Sequence, residues 1–175
     1  MIASRAVADL GGRHIYWGTD NIYIFDGVNN IPIGVKVFAD MSLAYNPEFK
    51  EYIMVRVDTR DHEAYFMYPD DTSTDRRCTA AYVYNWLENT WRQEPIECTA
   101  AWNFQRRAGL AWEDAIGSWE TQTGVWTTQA LGAKRPMLLI ATPGGQIQLV
   151  DPLVVDVDGT PRERLCESGL VDVGK

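Results

Sequence analysis

The sequence predicts an all-β fold: a β-propeller-like array of about four antiparallel blades, the first and last incomplete, with one short helix near residues 34–43. Two strand–turn–strand units, over residues 82–91 and 116–126, each close on a tryptophan. The sequence Cys-Thr-Ala-Ala at 78–81 recurs at 98–101, followed each time by an aromatic residue. Short repeated units of this kind are typical of radially repeated β folds.

The composition indicates a globular chain and argues against several functions. Hydrophobic residues make up 46% of the 175 residues and aromatic residues 11%, which favours packed strands over disorder. The net charge of −8 argues against a sequence-independent nucleic-acid surface and against docking on an anionic membrane. Apolar runs reach about five residues, whereas a membrane span needs roughly 20. The first residues lack an apolar core of signal-peptide length.

The three cysteines are Cys78, Cys98 and Cys166. They are widely spaced, odd in number and include no CxxC pair. This usage predicts free thiols and synthesis in the cytoplasm.

The first quarter of the chain predicts a strand, a hairpin and a helix. Residues 6–10 predict a strand, and two β-rich runs within 13–26 flank a Gly-Thr-Asp-Asn turn that predicts a hairpin. Residues 29–32 are interpreted as a loop. The segment 34–43 predicts the helix and ends before Asn46-Pro47. At helical spacing, Val35 and Phe38 fall on one face of it, which Met41 can extend.

The middle of the chain predicts complete blades. Residues 52–94 predict four consecutive antiparallel strands, interrupted by a polar loop at 70–77. Residues 98–126 predict a further blade, and residues 137–150 predict another hairpin that turns at Pro-Gly-Gly. We therefore predict one propeller-like domain over residues 1–155. Residues 156–175 form a C-terminal extension, either the start of a further β module or an inter-subunit arm.

Adjacent carboxylates at Asp70-Asp71 and Glu113-Asp114 are the first candidates for chemistry. Glycoside hydrolysis needs a facing pair of carboxylates about 5–10 Å apart. Neighbouring residues of a strand point to opposite faces, so neither pair predicts a catalytic site.

Other candidate motifs also lack a required residue. Asp156, Asp158 and Glu167 imitate a calcium loop, but Pro161 stands where such a loop requires glycine. His14 and His62 are isolated from other ligand types. Two further motifs fail for want of context: Gly117-Ser118-Trp119 lacks the glycine of a nucleophile elbow, and Gly144-Gly145 precedes no helix. The sequence thus predicts no catalytic, cofactor-binding or metal-binding residue, and no cofactor.

The seven tryptophans have two interpretations. Exposed tryptophans stack on sugars or form protein interfaces, whereas those of repeated blades pack between sheets. We interpret most of the set as core: Trp17, Trp86, Trp91, Trp102, Trp112, Trp119 and Trp126. The pairs Arg76-Arg77 and Arg106-Arg107 are interpreted as charged loop tips.

One pattern extends across four stretches: 31–34, 63–69, 78–86 and 89–91. It contains a tyrosine before a proline, a polar loop, a cysteine, a Val-Tyr-Asn strand and a turn closed by tryptophan. This pattern resembles the tail tubular, or nozzle, proteins of short-tailed bacteriophages and related tail-hub proteins. The opening hairpin and the C-terminal extension resemble the same family. Tyrosine-rich blades that end in tryptophan also occur in Kelch-type propellers.

The resemblance implies a non-enzymatic structural protein of the virion, made in the host cytoplasm. It implies a homo-oligomer, with a hexameric ring favoured, that contacts other tail proteins such as adaptor, portal or fibres. DNA would pass through the ring without sequence-specific binding, and no membrane is involved. The loops 28–51, 70–77 and 105–109 would face neighbouring subunits. The family has further domains on both sides of the propeller segment, so we expect a reduced version, a split product or one segment of a larger assembly.

Two other functions remain open from the residues alone. A propeller rich in tryptophan can be a carbohydrate-binding module for host-surface recognition. A glycosidase on a propeller scaffold is the second alternative, and it requires an acid–base pair that the sequence does not reveal.

Overall fold

The computed structural model describes residues 1–104, residues 137–150 and the strand residues 156–157 and 160–161, and it is mostly β. Three antiparallel sheets contain most of the described strands, and within each sheet every strand lies beside its neighbour in sequence. The prediction of a fold dominated by antiparallel strands is confirmed.

The first sheet has four strands rather than an incomplete set. Its strands are β1 (Val7–Asp9), β2 (His14–Trp17), β3 (Ile22–Phe25) and β4 (Asn30–Pro32). The predicted hairpin is confirmed, with Trp17 opposite Ile22. The interpretation of residues 29–32 as a loop was wrong, because β4 pairs with β3. All three residues of β4 are exposed, so its sequence lacks the alternation that identifies a half-buried strand.

The linking segment, residues 33–53 between β4 and the next strand, contains a shorter helix than predicted. Helix α1 spans Phe38–Ala44, and a turn precedes it in which the Gly34 carbonyl accepts hydrogen bonds from two backbone N–H groups. Met41 is buried and Phe38 packs against the same cluster, but Val35 lies before the helix and is 72% exposed, so the prediction was wrong for Val35. A 3₁₀ helix at Pro47–Tyr52, which the sequence did not predict, follows directly.

The central sheet confirms the prediction for residues 52–94. Its strands are β5 (Met54–Asp58), β6 (Glu63–Tyr68), β7 (Cys78–Asn85) and β8 (Thr90–Cys98), in that spatial order. Successive residues of a strand point to opposite faces. All six residues of β6 are buried, so both faces of this sheet are covered.

The third sheet combines residues that the sequence assigned to two separate units. Its strands are β9 (Ala100–Phe104), β10 (Met137–Ala141) and β11 (Ile147–Leu149), in the order β11-β10-β9. The predicted hairpin over 137–150 is confirmed. Strand β9, which we had assigned to a blade over 98–126, pairs along its whole length with β10. The rest of that predicted blade, residues 110–126, lies outside the described residues.

A single residue, Thr99, separates β8 from β9, so the chain passes from the central sheet to the third sheet at one bend. The repeated Cys-Thr-Ala-Ala falls at this point. Cys78 begins β7, Cys98 ends β8, and the two lie opposite each other in the ladder. The two copies therefore occupy different positions of adjacent strands. Both thiols are buried and free, as predicted, and Cys166 lies outside the described residues.

The three sheets pack face to face with the central sheet in the middle. One cluster of buried side chains joins the first sheet and Met41 of α1 to one face of the central sheet. A second cluster joins the other face to the third sheet. Buried apolar surface contributes about 25 cal/mol per Å² to stability, so each of these two interfaces stabilises the fold in proportion to the apolar area that it buries.

The first strands of the three sheets lie side by side around β5. The Val55 N–H donates to the Arg5 carbonyl at 2.9 Å, just before β1. On the other side, Arg56 Nε donates to the Ala101 carbonyl of β9 at 2.7 Å. The Asn103 side chain of β9 also donates to the backbone of β5. The sheets are therefore fastened to one another along their first strands.

Trp17 fills the interface between the first and central sheets. It is fully buried. Its ring makes edge contacts with Tyr45, Phe66 and Tyr68 at centroid distances of 5.9, 6.2 and 5.9 Å. Edge-to-face pairs of this kind add about 0.5–1.5 kcal/mol each beyond area burial.

A two-stranded antiparallel pair, β12 (Asp156–Val157) and β13 (Thr160–Pro161), lies within the predicted C-terminal extension.

We expect Trp17→Ala to lower the free energy of unfolding by about 3–5 kcal/mol, because it leaves a cavity between two sheets. Urea denaturation followed by circular dichroism measures this loss. The matched control is Leu87→Ala at a side chain that is 68% exposed, which should change stability by less than about 0.5 kcal/mol. Equal effects of the two substitutions would contradict the assigned packing.

Candidate functional site

Among the described residues, no group of three or more His, Cys, Asp or Glu side chains is placed to hold a metal ion. Nor does the described part of the chain contain a helix long and apolar enough to cross a membrane. Two other places bring together side chains that could bind a ligand or carry out chemistry. One is a cleft between the first and central sheets, and the other is a charged cluster on the central sheet.

The cleft has a volume of about 500 Å³, within the range of about 300–1,000 Å³ typical of small-molecule sites. We call it the aromatic cleft and define it by six residues: Arg13, Lys36, Tyr84, Trp86, Asn89 and Trp91. Aliphatic side chains of β3, β4 and the following turn complete its lining. The first and central sheets meet along β1 and β5, whereas the cleft opens beside β3–β4 and β7–β8. The two sheets therefore diverge from their first strands towards their last.

The β7–β8 turn holds the aromatic wall of the cleft in place. Asn85 accepts hydrogen bonds from the backbone N–H groups of Leu87 at 3.0 Å and Glu88 at 3.1 Å. The Tyr84 hydroxyl donates to Asn89 Oδ1 at 3.0 Å, and Asn89 itself has φ of 55°. Asparagine tolerates this left-handed backbone better than most residues. These bonds fix the turn that presents the two cleft tryptophans.

The cleft tryptophans are half-buried. Trp91 packs on Tyr84 at a centroid distance of 4.8 Å and on Phe66 at 5.4 Å. Trp86 packs edge-on against His62 at 5.6 Å. Of the other tryptophans, Trp17 is core, Trp102 is half-buried, and three lie outside the described residues. The interpretation of the set as core is thus confirmed for Trp17, while Trp86 and Trp91 combine packing with an open surface.

Among the described residues, no carboxylate neutralises the two cations of the cleft by a salt bridge. Arg13 and Lys36 are exposed, and neither forms a salt bridge within the part of the chain that the structure describes. Burial raises the pKa of the Tyr84 hydroxyl, and the Arg13 charge opposes that rise. Arg13 therefore lies close enough to this hydroxyl to influence it electrostatically.

The arginine cluster, defined as Glu63, Tyr65, Arg92 and Glu94, lies on the central-sheet face that packs towards the third sheet. The Arg92 guanidinium binds both carboxylate oxygens of Glu63, one of them at 2.7 Å, and its Nε donates to Glu94 at 2.9 Å. The Tyr65 hydroxyl donates to Glu63 at 2.8 Å. Burial, and then the Glu63 charge, raise the pKa of Tyr65.

The geometry of the arginine cluster indicates a structural role. Glu63 and Glu94 are 7% and 3% exposed, and a buried carboxylate is tolerated only when it is paired and hydrogen-bonded. Arg92 supplies that pairing to both. The two carboxylates converge on the guanidinium rather than facing each other across an open site.

Asp70 of the predicted carboxylate pairs stabilises its own loop. Its Oδ1 accepts hydrogen bonds from the Thr72 hydroxyl and the Ser73 hydroxyl, both at 2.9 Å. Burial opposes the effect, but these hydrogen bonds lower the pKa of Asp70. Asp71 is exposed, and so are Arg76 and Arg77 of the same loop, as predicted for charged loop tips.

The remaining candidates are dispersed. His14 is exposed on β2. His62 adopts φ of 61° in the β5–β6 turn and contacts Trp86. Gly144-Gly145 forms the β10–β11 turn, as predicted. Asp156 lies in β12. The other predicted candidates lie outside the described residues: Arg106, Arg107, Glu113, Asp114, Gly117, Ser118, Asp158 and Glu167.

Sequence reasoning missed both places that the structure identifies. The arginine cluster had a signal, because Arg92 and Glu94 are two residues apart on one face of a strand and Glu63 begins an otherwise apolar strand. The cations of the aromatic cleft had none, since Arg13 and Lys36 lie in separate connections far along the chain from the β7–β8 turn.

We expect Arg92→Leu to lower the free energy of unfolding by about 3–5 kcal/mol, because it removes the cation that binds two buried carboxylates. The control is Arg77→Leu, which removes an exposed pair with Asp75 at 2.6 Å that is worth about 0–1 kcal/mol. Chemical denaturation of both variants measures the difference. Similar losses in the two variants would show that the cluster is not buried as described.

Asp58 provides a prediction for pH dependence. It is fully buried, its Oδ1 accepts from the Arg60 N–H at 2.8 Å, and its Oδ2 has no hydrogen-bond partner among the described residues. Burial raises its pKa above the usual 3.8. A raised pKa means that the folded state binds the proton more tightly, so the stabilisation is complete below pH 3.8 and is lost as pH rises through the folded-state value.

We therefore expect wild type to gain stability relative to Asp58→Asn when the pH falls from 7 towards about 4. Urea denaturation at both pH values measures the change. The control is Asp75→Asn, because backbone hydrogen bonding by Arg77 lowers the pKa of Asp75 and its contribution should change with the opposite sign. Parallel pH trends in the two variants would disprove the assignment.

The aromatic cleft and the arginine cluster are described from the residues of this chain alone, without a related protein for comparison. No protein-family model and no curated protein matches the sequence.

Proposed function

We propose that this chain is a non-enzymatic structural component of the tail of a short-tailed bacteriophage, part of the nozzle or hub through which DNA leaves. The observation that carries the proposal is the placement of the residues that resemble the tail tubular proteins. The stretches 63–69 and 78–86 cover β6 and β7, the stretch 89–91 runs from the β7–β8 turn into β8, and residues 31–33 line the opposite side of the cleft. The residues of the resemblance therefore lie around the aromatic cleft, which supports the proposal.

The arrangement of the sheets supports a propeller-like domain. Blades of a propeller are antiparallel sheets of four strands in chain order, packed face to face around an axis. The three sheets here follow chain order, pack face to face and adjoin along β1, β5 and β9. Their divergence at the last strands fits the wedge between neighbouring blades.

The segment 28–51 supplies surfaces for assembly. Leu43 on α1 is 79% exposed, and Val35 in the preceding turn is 72% exposed. Strand β4 is fully exposed and pairs on one side only among the described strands. Exposed apolar groups beside an unpaired strand edge are features of protein–protein contacts. We propose that this segment and the loop 70–77 contact neighbouring subunits in a ring, with a hexamer favoured, and contact other tail proteins.

The charge of the chain fits a conduit in a virion made in the host cytoplasm. With a net charge of −8, the chain lacks the cation excess that binds phosphates by counterion release. DNA would pass such a ring without being held by it and without sequence-specific contacts.

Native mass spectrometry over a range of protein concentrations tests the proposal. We expect a closed oligomer, with a hexamer as the main species, and its dissociation by Leu43→Glu. The control is Leu87→Glu, a similarly exposed leucine in the β7–β8 turn, which should leave the oligomer intact. A monomer at all concentrations, or equal effects of both variants, would contradict the assembly role.

A further inference from the structure

We propose that the aromatic cleft is a binding site for an acidic saccharide, a sugar that carries a carboxylate or sulfate. This inference goes beyond the assembly role, because it concerns a small-molecule site between two sheets of one subunit. It rests on three observations: half-buried aromatic rings, two cations that form no salt bridge among the described residues, and a fixed polar turn.

The aromatic wall suits the apolar face of a sugar ring. Tyr84, Trp86 and Trp91 line one side of a cleft of about 500 Å³. Aromatic side chains with a packed body and an open surface provide rigid contact area, because little side-chain entropy is lost on binding. Contacts with His62, Phe66 and Tyr84 already hold the tryptophans. The wall is therefore preorganised.

The two cations select for negative charge. Arg13 and Lys36 approach the cleft from two different connections of the first sheet. Neither forms a salt bridge among the described residues, so an incoming anion need not displace a carboxylate. An arginine binds a carboxylate or sulfate through two parallel hydrogen bonds, which fixes the orientation of the group. Asn89 adds an amide suited to sugar hydroxyls.

An acidic saccharide fits these observations better than a single-stranded nucleic acid. Nucleic-acid surfaces combine stacking rings with a cationic groove that follows many phosphates. This cleft offers two cations on a chain with a net charge of −8, which repels a polyanion at long range. Three carboxylates, as on a short acidic trisaccharide, match two cations more closely than the many phosphates of a nucleic-acid strand do.

Isothermal titration calorimetry with trigalacturonate as the probe tests the proposal, with the neutral trisaccharide maltotriose alongside. We expect trigalacturonate to bind at least about tenfold more tightly than maltotriose, since one charge-assisted hydrogen bond accounts for a factor of that size. Lys36→Glu and Arg13→Glu should each lower the affinity for trigalacturonate by about tenfold or more. Trp86→Ala, checked for folding by circular dichroism, should lower the affinity for both sugars.

The matched control is Lys50→Glu, an exposed lysine of the same linking segment that does not line the cleft. It makes the same change of charge and should leave binding unaltered, whatever the oligomeric state. Absence of binding by trigalacturonate, or equal loss in Lys36→Glu and Lys50→Glu, would overturn the proposal. Tighter binding of a short oligothymidylate than of trigalacturonate would overturn it in favour of a nucleic-acid site.

Discussion

The burial of both faces of the central sheet is the constraint on which the rest of this structure depends. Antiparallel sheets commonly keep one face in water, but here six consecutive residues of β6 are buried. One face of this sheet needs the first sheet and α1 as a cover, and the other needs the third sheet. A charged group on such a face is stable when it is paired within the protein, which accounts for the way Arg92 binds Glu63 and Glu94.

The same packing creates the aromatic cleft. The sheets are fastened along β1 and β5, where the backbone of Val55 bonds to that of Arg5. Away from this line the first and central sheets separate, and Trp86 and Trp91 fill only part of the space between them. The tryptophans thus seal the outer margin of the core and form the wall of a solvent-accessible site. Trp86 and Trp91 therefore pack against the core on one side and leave their other side open to a ligand.

The sequence predicted the elements whose side chains carry a local signal. The hairpin at β2–β3 and the whole central sheet alternate or are bounded by turn residues, and both were found. Strand β4 was missed because its residues are all exposed and its existence depends on pairing with β3. The pairing of β9 with β10 joins residues more than 30 positions apart, so the pattern of a short sequence segment does not predict it. The cleft cations escaped for the same reason, since only the fold brings Arg13 and Lys36 to one opening.

The bend at Thr99 has a consequence for motion. Hinges between structural units absorb their rotation in the backbone dihedrals of a connecting segment. Between the central and third sheets the connection is one residue long, and both flanking strands are committed to ladders, β8 with β7 and β9 with β10. Rotation of one sheet against the other would break the contacts that join them, namely the Arg56 hydrogen bond to the Ala101 carbonyl and the cluster of buried side chains between the two sheets. The central and third sheets are therefore expected to move together as one rigid body, so that force applied to either sheet is transmitted to its neighbour without deformation between them.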